Sequence, residues 1–168
     1  KEDQNFQKIS ACLNNVGLCH MMNGDYASAI SVLEQAKDLA ATYSGANSVI
    51  YAMALQNMTV YYGNLYEYDK CIDITMQVAM IFEKIYGRNS EEYGATIHNL
   101  GIFHMYKNDY QTAAACHKES IRIHEALPGD NRKFISMSYG SLGQALFHLG
   151  DVENGEKAYA KSASILQE

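Results

Sequence analysis

The chain has 168 residues, 48% apolar and 19% charged, which is enough for one domain with a sizeable core. Its net charge of −6 leaves no Lys/Arg stripe for a phosphate backbone and argues against nucleic acid as a partner. The longest apolar runs, such as 79–82, fall far short of the roughly 18 residues that span a bilayer, so no membrane insertion is expected.

Helical spacing begins early. Leu13, Val16, Gly17 and His20 share one face at i, i+3, i+4, i+7, and Tyr26, Ala29, Ile30 and Leu33 make the face of a second segment. Continued along the chain, the pattern predicts helices near 4–22, 26–42, 48–64, 68–86, 90–106, 110–126, 131–148 and 152–167. Turn signals at 44–48, 87–90 and 128–131 separate pairs of helices, and the single proline, Pro128, falls in one of them. Within the pairs, Asn23-Gly24-Asp25, Asn108-Asp109 and Gly150-Asp151 supply a residue tolerant of positive φ and an Asp to cap the next helix. The second pair departs from this with Leu65-Tyr66-Glu67, which predicts a looser turn.

The helix pairs are repeats. Asn15, Asn57, Asn99 and Ser141 align at steps of 42 residues, flanked by Leu13, Leu55, Ile97 and Tyr139 before and by Gly17, Thr59, Gly101 and Gly143 after. Asp25-Tyr26, Glu67-Tyr68, Asp109-Tyr110 and Asp151-Val152 follow in register. A hairpin of this kind cannot bury its stripe alone, whereas stacked hairpins can. The expected fold is all-α: a right-handed superhelical solenoid of four helix-turn-helix units, near 5–46, 47–88, 89–130 and 131–168, in one domain over 1–168. The start at Lys1 rather than Met suggests a piece of a longer protein.

The order seen in "LNNVGLCHMMNGDYASA" and "IHNLGIFHMYKNDYQTA" resembles the tetratricopeptide repeat. Its 42-residue length, with "LNNV", "LQNM" and "IHNL" at the same register, is similar to the kinesin light chain and its relatives. The resemblance implies a protein–protein interaction module whose first helices line a concave groove. The groove slots would be Ala11, Asn14, Asn15, Leu18, Met21 and Met22 in unit one, and Met53, Gln56, Asn57, Val60, Gly63 and Asn64 in unit two. Unit three would supply Ala95, His98, Asn99, Ile102, Met105 and Tyr106, and unit four Met137, Gly140, Ser141, Gln144, Phe147 and His148.

An amide offers both a donor and an acceptor to a peptide backbone, and Met adapts to apolar anchors. No Lys or Arg occupies a groove slot, so neither the chaperone-tail clamp nor the acidic-cargo preference of the wider family carries over. The expected ligand is an extended protein or peptide segment of neutral to apolar character. The competing role for Asn15, Asn57 and Asn99 is bonding across to neighbouring helices. Competing functions are a structural block in a cytoskeletal or ciliary assembly and a peptide-sensing regulatory domain. The apolar face near 152–167 implies that the array either continues or self-associates through its terminal repeats.

The chemistry-bearing residues point to no active site. Cys12, Cys19, Cys71 and Cys116 form no CxxC pair and read as buried apolar residues, which favours a reducing, cytoplasmic setting. Cys19, His20, Met21 and Met22 fan out by about 100° per residue and cannot converge on one ion. His20 and His104 share a repeat slot with Tyr62 and Leu146, which marks that slot as core packing. His117 and His124 share a face but stand about 10 Å apart, too far for one metal. Glu34, Asp38, Asp73, Glu83, Glu119 and Glu125 belong to a solvated face of the second helices. No catalysis, metal or cofactor is expected.

Overall fold

The computed structural model describes residues 2–167, with side chains from Asn5 onward; Lys1 and Glu168, the two ends of the expected domain span, lie outside it. Eight helices follow one another among the described residues: α1 (Glu2–Met22), α2 (Tyr26–Ser44), α3 (Val49–Asn64), α4 (Tyr68–Tyr86), α5 (Glu91–Tyr106), α6 (Tyr110–Ala126), α7 (Arg132–His148) and α8 (Val152–Ile165). They form two compact units, Lys1–Ile85 and Tyr86–Glu168, each made of two hairpins.

Local chemistry sets the boundaries. The carboxylates of Asp25, Asp109 and Asp151 accept from the backbone N–H groups of Ser28, Thr112 and Asn154, which caps α2, α6 and α8. Ser48 and Ser90 cap α3 and α5 through Tyr51 and Tyr93 in the same way. The four tight turns are one turn used four times, with Gly24, Tyr66, Asn108 and Gly150 in the left-handed region at φ 76°, 60°, 60° and 80°. Tyr66 N–H donates to the Gly63 carbonyl and Glu67 N–H to that of Tyr62, matching Gly24 to Met21 and Asp25 to His20. The second turn is therefore not looser, as its sequence suggests. It keeps the geometry and accepts a side chain where the backbone favours none.

In the first unit α1 packs on α2, and α3 packs on both. Small residues let helices close in: a Cβ on Gly17 would stand 2.8 Å from Leu33 Cδ2. Buried Leu33, Ala36, Leu55, Met58 and Val78 fill the core, and the Cys71 thiol ties α4 to α3 by donating to the Thr59 carbonyl at 3.4 Å. In the second unit α5 pairs with α6 and α7 with α8, while α7 also contacts α5 and α6. The core there gathers Ala113, Ala114, Ile121, Leu142, Ala145, Leu146 and Ala158.

Placing Asn at position 66, as in the third turn, relieves the side-chain cost of the left-handed backbone. Y66N is expected to raise unfolding stability by about 0.5–1 kcal/mol in urea titration; an unchanged or lower midpoint would contradict the strained-turn reading.

Candidate functional site

The first helices α1, α3, α5 and α7 each keep one stripe outside the core, and its register is the same in all four. It consists of the slots i, i+4, i+7 and i+11: Ala11, Asn15, Leu18 and Met22 on α1, and Met53, Asn57, Val60 and Asn64 on α3, none of them buried. In the second unit the same slots are Ala95, Asn99, Ile102 and Tyr106 on α5, and Met137, Ser141, Gln144 and His148 on α7, again none buried. None is Lys, Arg, Asp or Glu. The amides of Asn15, Asn57 and Asn99 make no hydrogen bond to another protein group among the described residues, so they are not the inter-helix ties that the alternative role required. Asn64 differs, since its Nδ2 donates to its own helix at the Val60 carbonyl, 2.8 Å away.

Two of the six predicted slots per unit turn inward instead. Asn14 is 6% and His98 8% exposed, while Gln56 and Gly140 are half-buried. His98 Nδ1 lies 2.9 Å from Ser138 Oγ on α7, so this slot faces the first helix of the following hairpin. In α3 the slot matching Ser138 is Ala54, which has no side-chain donor, and Asn14 Oδ1 is left buried without a partner. The other inward slot holds Met21, buried at 8% exposure while Met22 beside it is 87% exposed. Its counterparts are Gly63, half-buried; Met105, packed against the core of the second unit; and Phe147, which tilts against the Tyr159 ring at 5.6 Å yet stays 38% exposed, with no hairpin after it among the described residues. The hairpin forces this split: seven residues separate the two inward slots on a single side of the helix, and that side is where the next element seats.

Other expectations need correction. His20 and His104 are not core packing. Their Nδ1 atoms pair with Asp25 and Asp109 at 3.2 and 3.0 Å, so each ties the end of a first helix to the N-cap carboxylate of the second. Ser28 and Thr112, with smaller help from these imidazoles, hold the two carboxyls below the usual aspartate value. In the second turn Lys70 serves instead, pairing with Glu67 and lying 4.8 Å over the Tyr62 ring. Cys12 and Cys19 are exposed rather than buried; Cys71 and Cys116 fit the apolar reading, and burial pushes both thiols up to about 11. Glu83 and Glu119 are only partly exposed, with Glu119 paired to Arg122 at 2.8 Å.

What sequence reasoning missed is a buried polar seam in the second unit: His98, Ser138, Ser120 and His124 in hydrogen-bonding sequence, with His117 against His98. The legible signal was that His117 and His124 occupy the repeat slots of Leu33 and Ala40.

Residues 10–43 and residues 92–168 both match the tetratricopeptide repeat family, in agreement with the hairpins, the small-residue contacts and the shared turn. The chain is a tetratricopeptide-repeat protein. Its fold class, an all-α helical-repeat solenoid, is shared with BtubC (BKLC) from P. vanneervenii at TM-score 0.86 and 17% identity, over 94% of this chain and 63% of that one. The chain thus spans less than two thirds of BtubC. The nearly identical TPR-like repeats of a protein described as a kinesin light chain in P. anserina superpose at TM-score 0.81 and 16% identity, covering 95% of this chain and 75% of the other. MamA follows at TM-score 0.67 and 17% identity, covering 94% and 78%. No curated protein sequence matches the chain. Tetratricopeptide repeats as a class are protein-interaction scaffolds rather than catalysts, and no helix among the described residues is long and apolar enough to cross a membrane.

The inward and outward slots of a tetratricopeptide hairpin predict opposite outcomes for adjacent methionines. M21A should lose about 2 kcal/mol of unfolding stability and M22A less than about 0.5 kcal/mol in urea denaturation; equal losses would reject the assignment of faces.

Proposed function

We propose that the outward stripes of the first helices bind an extended segment of a partner protein, and that the chain acts as an adaptor or scaffold in the manner of kinesin light chain repeats. One observation carries this reading: Asn15, Asn57 and Asn99 stand at the same register with amides that no protein group occupies. An amide of that kind can pair with the N–H and C=O of a peptide backbone whatever its sequence.

Met22, Met53, Val60, Ile102, Tyr106 and Met137 alternate with those amides and offer apolar contact. Flexible thioethers suit anchors of varied shape, and the absence of fixed charge favours a neutral to apolar segment over an acidic or basic one. The binding slots are fewer than the sequence pattern implies, because Asn14, Met21 and His98 are withdrawn into the packing. A cytoplasmic place beside the cytoskeleton fits the likeness to kinesin light chain repeats and belongs to this proposal, as does self-association through the terminal repeats.

Replacement of Asn15, Asn57 and Asn99 together by Ala tests the reading, since all three are outside the core and folding should survive. Peptides selected on the wild-type chain from a random library should be neutral to apolar, and they should bind the triple variant at least tenfold more weakly by fluorescence anisotropy. Equal affinities for the two proteins would sink the stripe as the binding surface.

A further inference from the structure

The second unit buries three imidazoles where α5, α6 and α7 meet. His117 has no exposed surface and neither ring nitrogen has a partner; a Cβ on Gly101 would stand 2.7 Å from its Cε1, so the ring fills the space that the glycine leaves. His124 sits on Gly94 in the same manner and stacks on Phe134 at 4.9 Å. Its Nδ1 lies 2.8 Å from the Ser120 carbonyl, which only accepts, so Nδ1 carries a proton, and Nε2 has no partner. His98 lies 5.0 Å from the His117 ring and reaches α7 through Ser138, whose hydroxyl is 3.2 Å from that of Ser120. Packing alone does not ask for this chemistry, since the first hairpin fills the slots of His117 and His124 with Leu33 and Ala40.

The surroundings offer these rings no carboxylate partner. From α5 the only titratable group in the cluster is His98. From α6 there are Cys116, neutral because burial pushes its thiol up to about 11, and Glu125, which accepts from the Tyr139 hydroxyl at 3.2 Å. From α7 and the loop before it come Arg132 and Asp130, which pair with each other at 2.7 Å and line, with Glu125, the cleft beside His124. Among the described residues no carboxylate hydrogen-bonds to any of the three rings.

We infer that this cluster is an acid-operated latch: protons taken up by His98 and His117 part α7 from the α5–α6 hairpin, so opening of the second unit becomes progressively easier below about pH 6.5 while that of the first does not. Burial, and to a smaller degree His124, lowers the His98 value, while burial and then His98 push His117 down to about 3. The open state has ordinary imidazoles near 6.5. Above that pH the rings are neutral in both states and the latch is at full strength. As pH falls below it, the open state takes up protons that the closed state refuses, and closure weakens. Well below 6.5 each ring shifts the closed-to-open ratio by up to about tenfold per pH unit, the two together by up to about a hundredfold. The first unit's one histidine, His20, lies at the surface beside the Asp25 carboxylate.

Hydrogen exchange of the whole chain, read by mass spectrometry at pH 7.5, 6.5 and 5.5 and corrected for intrinsic exchange, tests the latch. The opening equilibrium of α5–α7 should rise by up to about thirtyfold between pH 6.5 and 5.5, while that of α1–α3 stays level. His117→Leu, the residue of the first hairpin in that slot, should cut that rise to about fivefold or less. Ring NMR of the unaltered chain gives a second measure that needs no variant: His117 should stay neutral in the closed state at pH 5.5. A flat response in the second unit, equal loosening of both units, an unchanged slope in H117L, or a His117 ring that titrates near 6.5 while closed would each overturn the inference.

Discussion

Close approach inside each hairpin is the constraint on which the other features depend. A first helix presents a small residue, Gly17, Gly101 or Gly143, and a second helix lays Leu33, His117 or Tyr159 directly over it. Once that contact is made, the rotation of the first helix is fixed. One side then faces its own partner, a second side seats the next hairpin where one follows in the same unit, and the i, i+4, i+7, i+11 stripe is left outside in all four first helices. The outward amides and the inward His98 are thus consequences of one packing decision, taken before any ligand is considered.

The same constraint explains why the turn is conserved in geometry when its residue is not. Two helices in that close contact leave one short path between them, and it passes through a left-handed residue. Gly24 and Gly150 meet it at no side-chain cost, and Asn108 at little. Tyr66 is held there by the helices on either side, and its exposed ring packs edge-on to Tyr68 at 6.2 Å.

Helices, repeat length and three of the four tight turns were legible because they depend on local spacing that recurs every 42 residues, and the observed helix ends differ from the expected ones by no more than two residues. The inner and outer slots were less legible. Asn14 and Asn15 are neighbours of the same type, and their sequence gives no sign that one is buried and the other free; that depends on where the following hairpin lands. His20 misled for a related reason. Its slot holds Tyr62 and Leu146 elsewhere, so the column reads as core, yet an imidazole there can reach the N-cap aspartate five residues on, which a Leu cannot. The exposure of Cys12 and Cys19 likewise follows from position in the array: Ala54 and Tyr61, their counterparts on α3, are buried, whereas the matching side of α1 is open.

Repetition also gives the chain an internal control. Where four hairpins solve one packing problem, a residue that departs from the others is not required by the fold. Leu33 and Ala40 show that the slots of His117 and His124 accept plain hydrocarbon, and hydrocarbon would bury without a penalty. An imidazole in their place brings two polar nitrogens, and His117 finds a partner for neither, at a cost of about 1–3 kcal/mol for each unmet group. Nothing in the hairpin geometry offsets that cost. The second unit therefore holds a polar cluster that weakens it at neutral pH and, by the direction of the His98 and His117 shifts, weakens it further in acid. Stability alone gives no reason for such an arrangement, and a coupling between proton uptake and opening does.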